Sequence, residues 1–139
     1  MNEFNNSLPM MLYRALDVVM PEFRRIFLEH GLTEQQWRVL RVLWEDDEQP
    51  LLVLAAKTLI SSPSLVGVVD RLERDGLVKR QKNQQDRRSV CVTLTPQGAK
   101  LEDEVSAKAE AAYQALEKRV GRKEWQQLMT SLEKLAVNG

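Results

Sequence analysis

The chain has 139 residues, of which 43% are hydrophobic and 29% are charged, which fits one globular domain with its own core. Its 20 Lys and Arg residues balance 20 Asp and Glu residues, which excludes a uniformly basic nucleic-acid-binding chain. A single cysteine excludes an internal disulfide, and no apolar run reaches the roughly 18 residues of a membrane-spanning helix.

The first half of the chain is predicted to be helical. An apolar stripe from Leu8 to Glu29 indicates one long helix, which Pro21 should kink or split because proline removes a backbone donor. Thr33 and Gln36 form a pattern typical of a capping box, so a second helix should begin there. A short apolar helix is predicted from Leu51 to Leu59.

A further helix is predicted after Ser61, whose side chain can cap it, and Pro63 fits the first turn, where the missing N–H costs nothing. Gly76 is placed to end this helix. The apolar residues between them recur at three- and four-residue spacing and form one stripe: Leu65, Val68, Val69 and Leu72.

The periodicity then switches to two. Residues 77–82 and 89–94 predict the two strands of a hairpin, and in the second strand Val90, Val92 and Leu94 alternate with Ser89, Cys91 and Thr93. The joining residues 83–88 are too polar and charged to bury. A helix that fits the major groove, beside an Arg-tipped loop that fits the minor groove, suits a protein that reads DNA.

Two more helices are predicted at the end of the chain, over residues 96–120 and 122–137, with Gly121 between them. The first of them has an apolar seam close to heptad spacing, formed by Leu101, Val105, Ala109, Ala112 and Leu116. A monomer would leave much of the apolar surface of these terminal helices in water, so the pattern favours a homodimer.

A family resemblance is carried by L-V-G-V-V-D-R-L-E-R-D-G-L-V-K-R followed by D-R-R-S-V-C-V-T-L-T-P-Q-G, which resembles the winged helix-turn-helix signature of the MarR family of bacterial transcription regulators. Within that family, H-G-L-T-E-Q-Q-W-R and P-S-L-V-G are similar to repressors of homoprotocatechuate (aromatic acid) degradation operons. The resemblance implies a mainly α fold with a small β-hairpin, in one domain of residues 1–139. It assigns residues 34–94 to the DNA-binding core, and residues 8–30 and 96–137 to dimerisation helices. The implied partners are a second copy of the chain and a pseudo-palindromic DNA operator.

The resemblance also implies which residues meet DNA. The start of the recognition helix is expected near base edges, and Arg71 follows one turn later, where it could reach a phosphate or pair with a neighbouring carboxylate of Asp70, Glu73 or Asp75. At the wing tip, the family pattern D-x-R implies that Asp86 steadies Arg88 in the minor groove while Arg87 is free for phosphate. The predicted DNA-binding residues are Ser62, Pro63, Ser64, Gly67, Arg71, Lys82, Asp86, Arg87 and Arg88.

Family members bind aromatic carboxylates between the dimer helices and the winged domain, which implies a similar inducer here. Arginine suits a carboxylate because it can donate two parallel hydrogen bonds, and Trp or Met can form the apolar wall of such a pocket. Core packing and surface charge are the equally plain alternative for each residue. The predicted ligand-binding residues are Met11, Arg14, His30, Trp37 and Arg38.

Two other functions stay open from the sequence: a helical protein-interaction module, and a regulator that senses oxidants through Cys91, for which a small strand residue is the simpler interpretation. No H-E-x-x-H, Cys/His cluster, P-loop or G-x-S-x-G motif occurs, so we predict no enzyme, no metal and no cofactor. The first residues, M-N-E-F-N-N-S, are unlike a signal peptide, and we expect a cytoplasmic protein.

Overall fold

The structure, a computed structural model, describes residues 3–83, 86 and 89–137. Within those residues it contains six α-helices and a small three-stranded antiparallel sheet, so the predicted mainly α fold is confirmed. The elements in chain order are a short 3₁₀-helix (Phe4–Asn6), α1 (Leu8–Glu29), α2 (Glu34–Glu45), β1 (Gln49–Pro50), α3 (Leu51–Thr58), α4 (Ser62–Arg74), β2 (Val78–Lys82), β3 (Val90–Leu94), α5 (Pro96–Val120) and α6 (Arg122–Ala136).

The chain divides into two compact units. The winged unit comprises Arg24–Ser106, and the helical unit comprises Met1–Phe23 with Ala107–Gly139. The winged unit therefore contains α2, α3, α4 and the whole sheet, together with the end of α1 and the beginning of α5.

Capping residues that are recognisable in the sequence set the helix boundaries. At the start of α2, the Thr33 hydroxyl accepts the Gln36 backbone N–H at 3.1 Å, and the Gln36 side-chain oxygen accepts the Thr33 backbone N–H at 2.9 Å. This reciprocal capping box satisfies two backbone donors that a helix start otherwise leaves unpaired. The predicted capping box is confirmed.

Glycine ends two helices of the winged unit. Gly31 follows α1 with φ +70°, and Leu32 there donates to the Phe27 carbonyl at 2.9 Å. Gly76 follows α4 with φ +76°, and Leu77 donates to the Leu72 carbonyl at 3.0 Å. Because glycine adopts a left-handed backbone conformation without steric cost, the chain can turn back at these points while the last helical carbonyls stay paired.

The sheet has three strands rather than the two predicted. Its order is β1-β3-β2, and β3 pairs with β2 from Val78↔Leu94 to Lys82↔Val90. The strand β1 is only Gln49–Pro50, which is too short to carry any periodicity that a sequence could display. Its addition makes β3 the central strand and leaves β2 as an edge.

The central position of β3 also changes its burial. Cys91, Val92 and Thr93 are all buried, so the alternation in the sequence does not become an alternation of buried and exposed residues. The two neighbouring strands, together with α2 and α3, pack against β3. Around it lies the core of the winged unit, whose fully buried side chains include Ile26, Phe27, Leu32, Val39, Leu40, Leu43, Leu54, Leu65, Val69, Leu72 and Val78.

The helical unit is built from most of α1, the rest of α5 and α6. Pro21 lies inside α1, so the predicted split of this helix is wrong, while the alternative of a kink stays a prediction. Since Pro21 is exposed, water can satisfy the carbonyl one turn earlier that loses its donor. Phe23 and Tyr113 pack ring against ring, with centroids 4.9 Å apart.

The helical unit leaves much apolar surface exposed. α6 has no buried residue, and long apolar side chains along α1, α5 and α6 are between about two-fifths and two-thirds exposed. They include Leu8, Met11, Tyr13, Leu16, Val18, Tyr113, Val120, Leu128, Met129 and Leu135.

Over the part of the chain that is described, no single helix is long and apolar enough to cross a membrane. Only α3 and α4 taken together reach that length and composition, and they are bent by 106° from each other.

Candidate nucleic-acid interface

The helix α4 has one buried side and one exposed side. Leu65, Val68, Val69 and Leu72 are its buried residues and pack into the core of the winged unit. Four residues predicted to bind DNA lie in its first turns and are all exposed: Ser62, Pro63, Ser64 and Gly67. The packing therefore fixes which side of α4 can meet a partner.

The start of α4 is capped by a side chain. Ser61 is the N-cap, and its hydroxyl oxygen accepts the Ser64 backbone N–H at 3.4 Å while its hydroxyl lies 3.0 Å from that of Ser64. A side chain added at Gly67 would have nothing within 4 Å. The backbone at Gly67 is thus open to close approach by another molecule.

Arg71 is exposed on the next turn of α4. Within the described residues it forms no ion pair, so the alternative in which it pairs with Asp70, Glu73 or Asp75 does not hold. Two of those carboxylates, Asp70 and Glu73, instead bind Arg80 of β2. The positive charge of Arg71 is consequently available for an anionic partner.

Arg80 connects the wing to α4 through four hydrogen bonds. Its backbone N–H and one guanidinium nitrogen donate to the two carboxylate oxygens of Glu73, at 2.9 and 3.0 Å. The other guanidinium nitrogen donates to Asp70 and, at 3.2 Å, to the carbonyl oxygen of Val66. No local pattern in the sequence signals this role, because the partners lie 7 to 14 positions away in the chain.

The wing is the β2–β3 hairpin and the residues that join its strands. Lys82 is exposed at the end of β2, opposite Val90. Asp86 is exposed in the joining segment, where its carbonyl accepts the Ser89 backbone N–H at 3.1 Å. Arg87 and Arg88, the two arginines predicted to bind DNA there, lie outside the described residues.

The base of the wing is held by the first turn of α5. Thr95 donates its hydroxyl to the Gly76 carbonyl at 2.6 Å and accepts the Gly98 backbone N–H at 3.0 Å. A side chain at Gly98 would lie 2.0 Å from the backbone oxygen of Leu77, so only glycine fits. The motif L-T-P-Q-G is the sequence signal for this close approach, although the sequence alone does not reveal what is approached.

The predicted ligand-binding residues fall in both units. In the winged unit, the Trp37 ring stacks on Phe27 with centroids 4.6 Å apart, and Trp37 stays half-buried. Arg38 donates to the Thr58 carbonyl at 3.4 Å and lies 3.6 Å from the Glu34 carboxylate. In the helical unit, exposed Arg14 donates to the Asn5 side-chain oxygen at 2.6 Å, and Met11 is 53% exposed.

His30 belongs to a different local environment from Trp37 and Arg38. Its Nδ1 lies 3.5 Å from the Glu104 carboxylate, and it lines a cavity of about 540 Å³ with Asp75, Lys100 and Glu104 among the other walls. Trp37 and Arg38 do not line that cavity. In this cavity His30 therefore lies with Glu104 and not with Trp37 or Arg38.

Cys91 is buried on the central strand. Burial raises the pKa of its thiol, and the nearby Glu48 carboxylate adds to that rise. A thiol with a raised pKa is a poor nucleophile at neutral pH, which disfavours an oxidant sensor. Among the described residues, no group of three His, Cys, Asp or Glu side chains is arranged to hold a metal ion.

Comparison with known proteins gives a consistent result. The model of the MarR family matches residues 32–90 of this chain. The homoprotocatechuate degradative operon repressor of Escherichia coli is 38% identical over 135 residues, which are 97% of this chain and 91% of that protein. The crystal structure of NadR in complex with 4-hydroxyphenylacetate has a TM-score of 0.84 at 34% identity and is matched over 100% of this chain and 99% of that one. BpsR of Bordetella bronchiseptica, whose DNA binding is regulated by 6-hydroxynicotinic acid, has a TM-score of 0.91 at 27% identity, with 100% and 99% covered.

Proposed function

We propose that this protein, which belongs to the MarR family of transcription regulators, is a homodimeric repressor that leaves its operator when a small aromatic carboxylate binds. The observation that carries this function is the division of α4 into a packed side and an open side. The open side presents Ser62, Ser64, Gly67 and Arg71, which are hydrogen-bonding, small or cationic. An α-helix with such a face fits the major groove of DNA.

The residues of α4 have distinct roles in the proposed complex. The hydroxyls of Ser62 and Ser64 donate to or accept from base edges, while the ring of Pro63 can touch a thymine methyl group. Gly67 lets the helix backbone approach the duplex closely. Arg71, one turn later, reaches a phosphate and contributes affinity without reading the sequence.

The wing contacts the neighbouring minor groove in this proposal. The sequence D-R-R supports an assignment in which Arg88 enters the groove, Asp86 orients it and Arg87 binds phosphate. Exposed Lys82 at the end of β2 adds a second phosphate contact. Such an arrangement combines base reading by α4 with recognition of groove shape by the wing.

The proposed dimer is formed through the helical unit. Its exposed apolar residues on α1, α5 and α6 would lose contact with water against a second copy, which stabilises the assembly. Two-fold symmetry then presents two α4 helices to half-sites about one DNA turn, ~34–36 Å, apart. Light scattering at micromolar concentration should give twice the chain mass of 16.0 kDa; a single species at the chain mass would contradict the dimer.

The inducer is proposed from the relatives and from two arginine environments. NadR binds 4-hydroxyphenylacetate and BpsR responds to 6-hydroxynicotinic acid, and both compounds are small hydroxylated aromatic acids. Arg14 bonds the neutral side chain of Asn5, whereas Arg38 is already near the carboxylate of Glu34. We therefore favour Arg14 over Arg38 as the partner of the ligand carboxylate, with Met11 on the same helix forming an apolar wall beside it.

DNA selection tests this function directly. An operator is selected from a random duplex library, and its affinity is compared with that of a shuffled duplex at one salt concentration. We expect at least about a thousandfold preference for the selected duplex, which is the lower range for specific regulators. Equal affinity for both duplexes would contradict a sequence-specific repressor.

The inducer site is tested separately with 4-hydroxyphenylacetate. Arg14→Ala should weaken its binding about tenfold or more, since a charge-assisted hydrogen bond to the carboxylate is lost. Arg38→Ala is the matched control and should bind the acid nearly as the unchanged protein does. A loss confined to Arg38→Ala would assign the carboxylate to Arg38 instead.

The remaining parts of the function follow from this assignment. A regulator that acts on chromosomal DNA works in the cytoplasm, and the relatives are regulators rather than enzymes, so we propose no catalytic activity. The raised pKa of Cys91 supports a ligand signal over an oxidant signal.

A further inference from the structure

The contact between Arg80 and α4 uses most of the hydrogen-bond donors of the Arg80 side chain. Both terminal nitrogens of its guanidinium donate to acceptors on α4, and the Arg80 backbone N–H donates to the same helix. The acceptors Val66, Asp70 and Glu73 recur at four- and three-residue spacing, so they lie along one side of α4. We call these four residues the wing clamp.

The edge position of β2 explains why the backbone takes part. In the order β1-β3-β2, one side of β2 has no neighbouring strand, so some of its backbone N–H groups point away from the sheet. Glu73 accepts one of them, that of Arg80, at 2.9 Å. The recognition helix thus covers part of the free edge of the wing.

The exposed fractions of the side chains show how strongly the wing clamp is shielded from water. The Arg80 side chain is only 25% exposed, against 54% for Asp70 and 40% for Glu73. The arginine is therefore the inner member, and its carboxylate partners lie outside it. A guanidinium in that position has little surface left for a phosphate.

We propose that Arg80 is a positioning residue, which sets the place of the wing relative to α4 and does not itself contact DNA. The inference rests on the proposed DNA-binding function, because the positioned elements are the two that we assign to the grooves. The proposal gives Arg80 a different role from Lys82, its exposed neighbour on the same strand, which we expect to contact a phosphate. Only arginine suits the position, since its planar fork can donate to several acceptors at once and a lysine ammonium cannot hold the same geometry.

The wing clamp also determines which carboxylates remain near Arg71. Asp70 and Glu73 are close to Arg71 in sequence, and Arg80 engages both of them. Arg71 is thereby left for DNA. Loss of Arg80 would leave two unpaired carboxylates on the recognition helix, where they repel phosphate.

The direction in which one substitution changes the DNA affinity distinguishes a positioning role from a direct contact. Glu73→Gln removes a negative charge near the proposed DNA surface, so a purely electrostatic role predicts tighter DNA binding. Positioning predicts the opposite, a loss of about tenfold, because the two hydrogen bonds that Glu73 accepts from Arg80 are weakened. Asp75→Asn is the matched control: it removes an acid at the end of the same helix but outside the wing clamp, and it should not weaken binding.

Arg80→Lys provides the complementary comparison. The substitution keeps the charge, so a phosphate contact predicts nearly unchanged affinity, whereas positioning predicts a loss similar to that of Arg80→Gln. In the double variant Arg80→Gln/Glu73→Gln, the loss should be smaller than the sum of the two single losses, since the bond from the Arg80 guanidinium to Glu73 is broken by either substitution. Additive losses, or tighter binding by Glu73→Gln, would overturn the proposal.

The position of the wing can also be measured without DNA, so the result does not depend on the proposed DNA-binding function. Spin labels at Ser62 and Lys82, placed in a Cys91→Ser background, report the distance between α4 and the wing. We expect one narrow distance distribution in the parent protein and a broader one in Arg80→Lys, with the helical circular dichroism unchanged. An equally narrow distribution in Arg80→Lys would contradict the positioning role, whether or not the protein binds the selected operator.

Discussion

Trp44 of α2 donates its indole N–H to the carbonyl oxygen of Gly98, at 3.0 Å, across 54 positions of the sequence. This bond joins the second helix of the winged unit to the first turn of α5. At the same turn, the Gly98 backbone packs directly on the backbone of Leu77, where the wing begins. Gly98 is therefore where the helices of the winged unit and the wing are locked together.

Gly98→Ala should destabilise the protein by about 1–3 kcal/mol. The added methyl group would lie 2.0 Å from a backbone oxygen, which cannot move aside as a flexible side chain could. Urea unfolding followed by circular dichroism measures the change in the free energy of unfolding. A variant as stable as the parent would show that the first turn of α5 can shift at no cost.

Gly67→Ala should have the opposite effect on stability and serves as the matched substitution. Its added methyl group meets nothing within 4 Å, and alanine is favoured over glycine inside a helix by about 0.5–1 kcal/mol. We expect the same variant to bind the operator about tenfold more weakly, because the helix backbone can no longer approach the duplex. Undiminished affinity measured by fluorescence anisotropy would remove Gly67 from the interface.

Arg88→Ala should weaken operator binding by about 1–3 kcal/mol while leaving the unfolding free energy unchanged. The expectation comes from the sequence D-R-R, in which Arg88 is the predicted minor-groove residue. Gel shifts at one salt concentration give the affinity, and Arg122→Ala, an exposed cation on α6, is the control. If both variants bound alike, the wing would have no part in recognition.

Cys91 should be unreactive in the folded protein at neutral pH. Because burial and Glu48 raise the pKa of the thiol, the reactive thiolate forms only as the pH rises above the ordinary thiol range. Alkylation by iodoacetamide should be much slower in the native than in the urea-unfolded protein, and mild peroxide should not alter operator affinity. Peroxide-induced release that disappears in Cys91→Ser would reinstate the redox alternative.

Local signals in the sequence predicted the helix boundaries well. Thr33, Ser61 and Gly76 act on backbone groups within a few residues of themselves, so their effect can be predicted without a tertiary structure. The amphipathic pattern of α4 likewise identified its buried side, and with it the exposed residues of the candidate site.

Contacts between distant parts of the chain were not predictable. The strand β1 exists only because β3 lies beside Gln49 and Pro50, and neither residue signals a strand. The sequence left open whether Arg71 reaches a phosphate or pairs with a neighbouring carboxylate, and it did not show that Arg80 of β2 binds two of those carboxylates. Charge pairing on a helix surface depends on which element packs beside that helix, and this packing cannot be predicted from the local sequence.

In the proposed mechanism, an aromatic carboxylate and the operator bind the same dimer antagonistically. Calorimetry with 4-hydroxyphenylacetate can measure this antagonism, using the dimer alone and then the dimer saturated with the selected operator. Because coupling is reciprocal, an acid that lowers operator affinity tenfold must itself bind about tenfold more weakly to the complex, a difference of ~1.4 kcal/mol. We predict such weakening on the operator. Equal affinity of the acid for the free dimer and for the complex would contradict release by the ligand, even if the acid bound tightly to both.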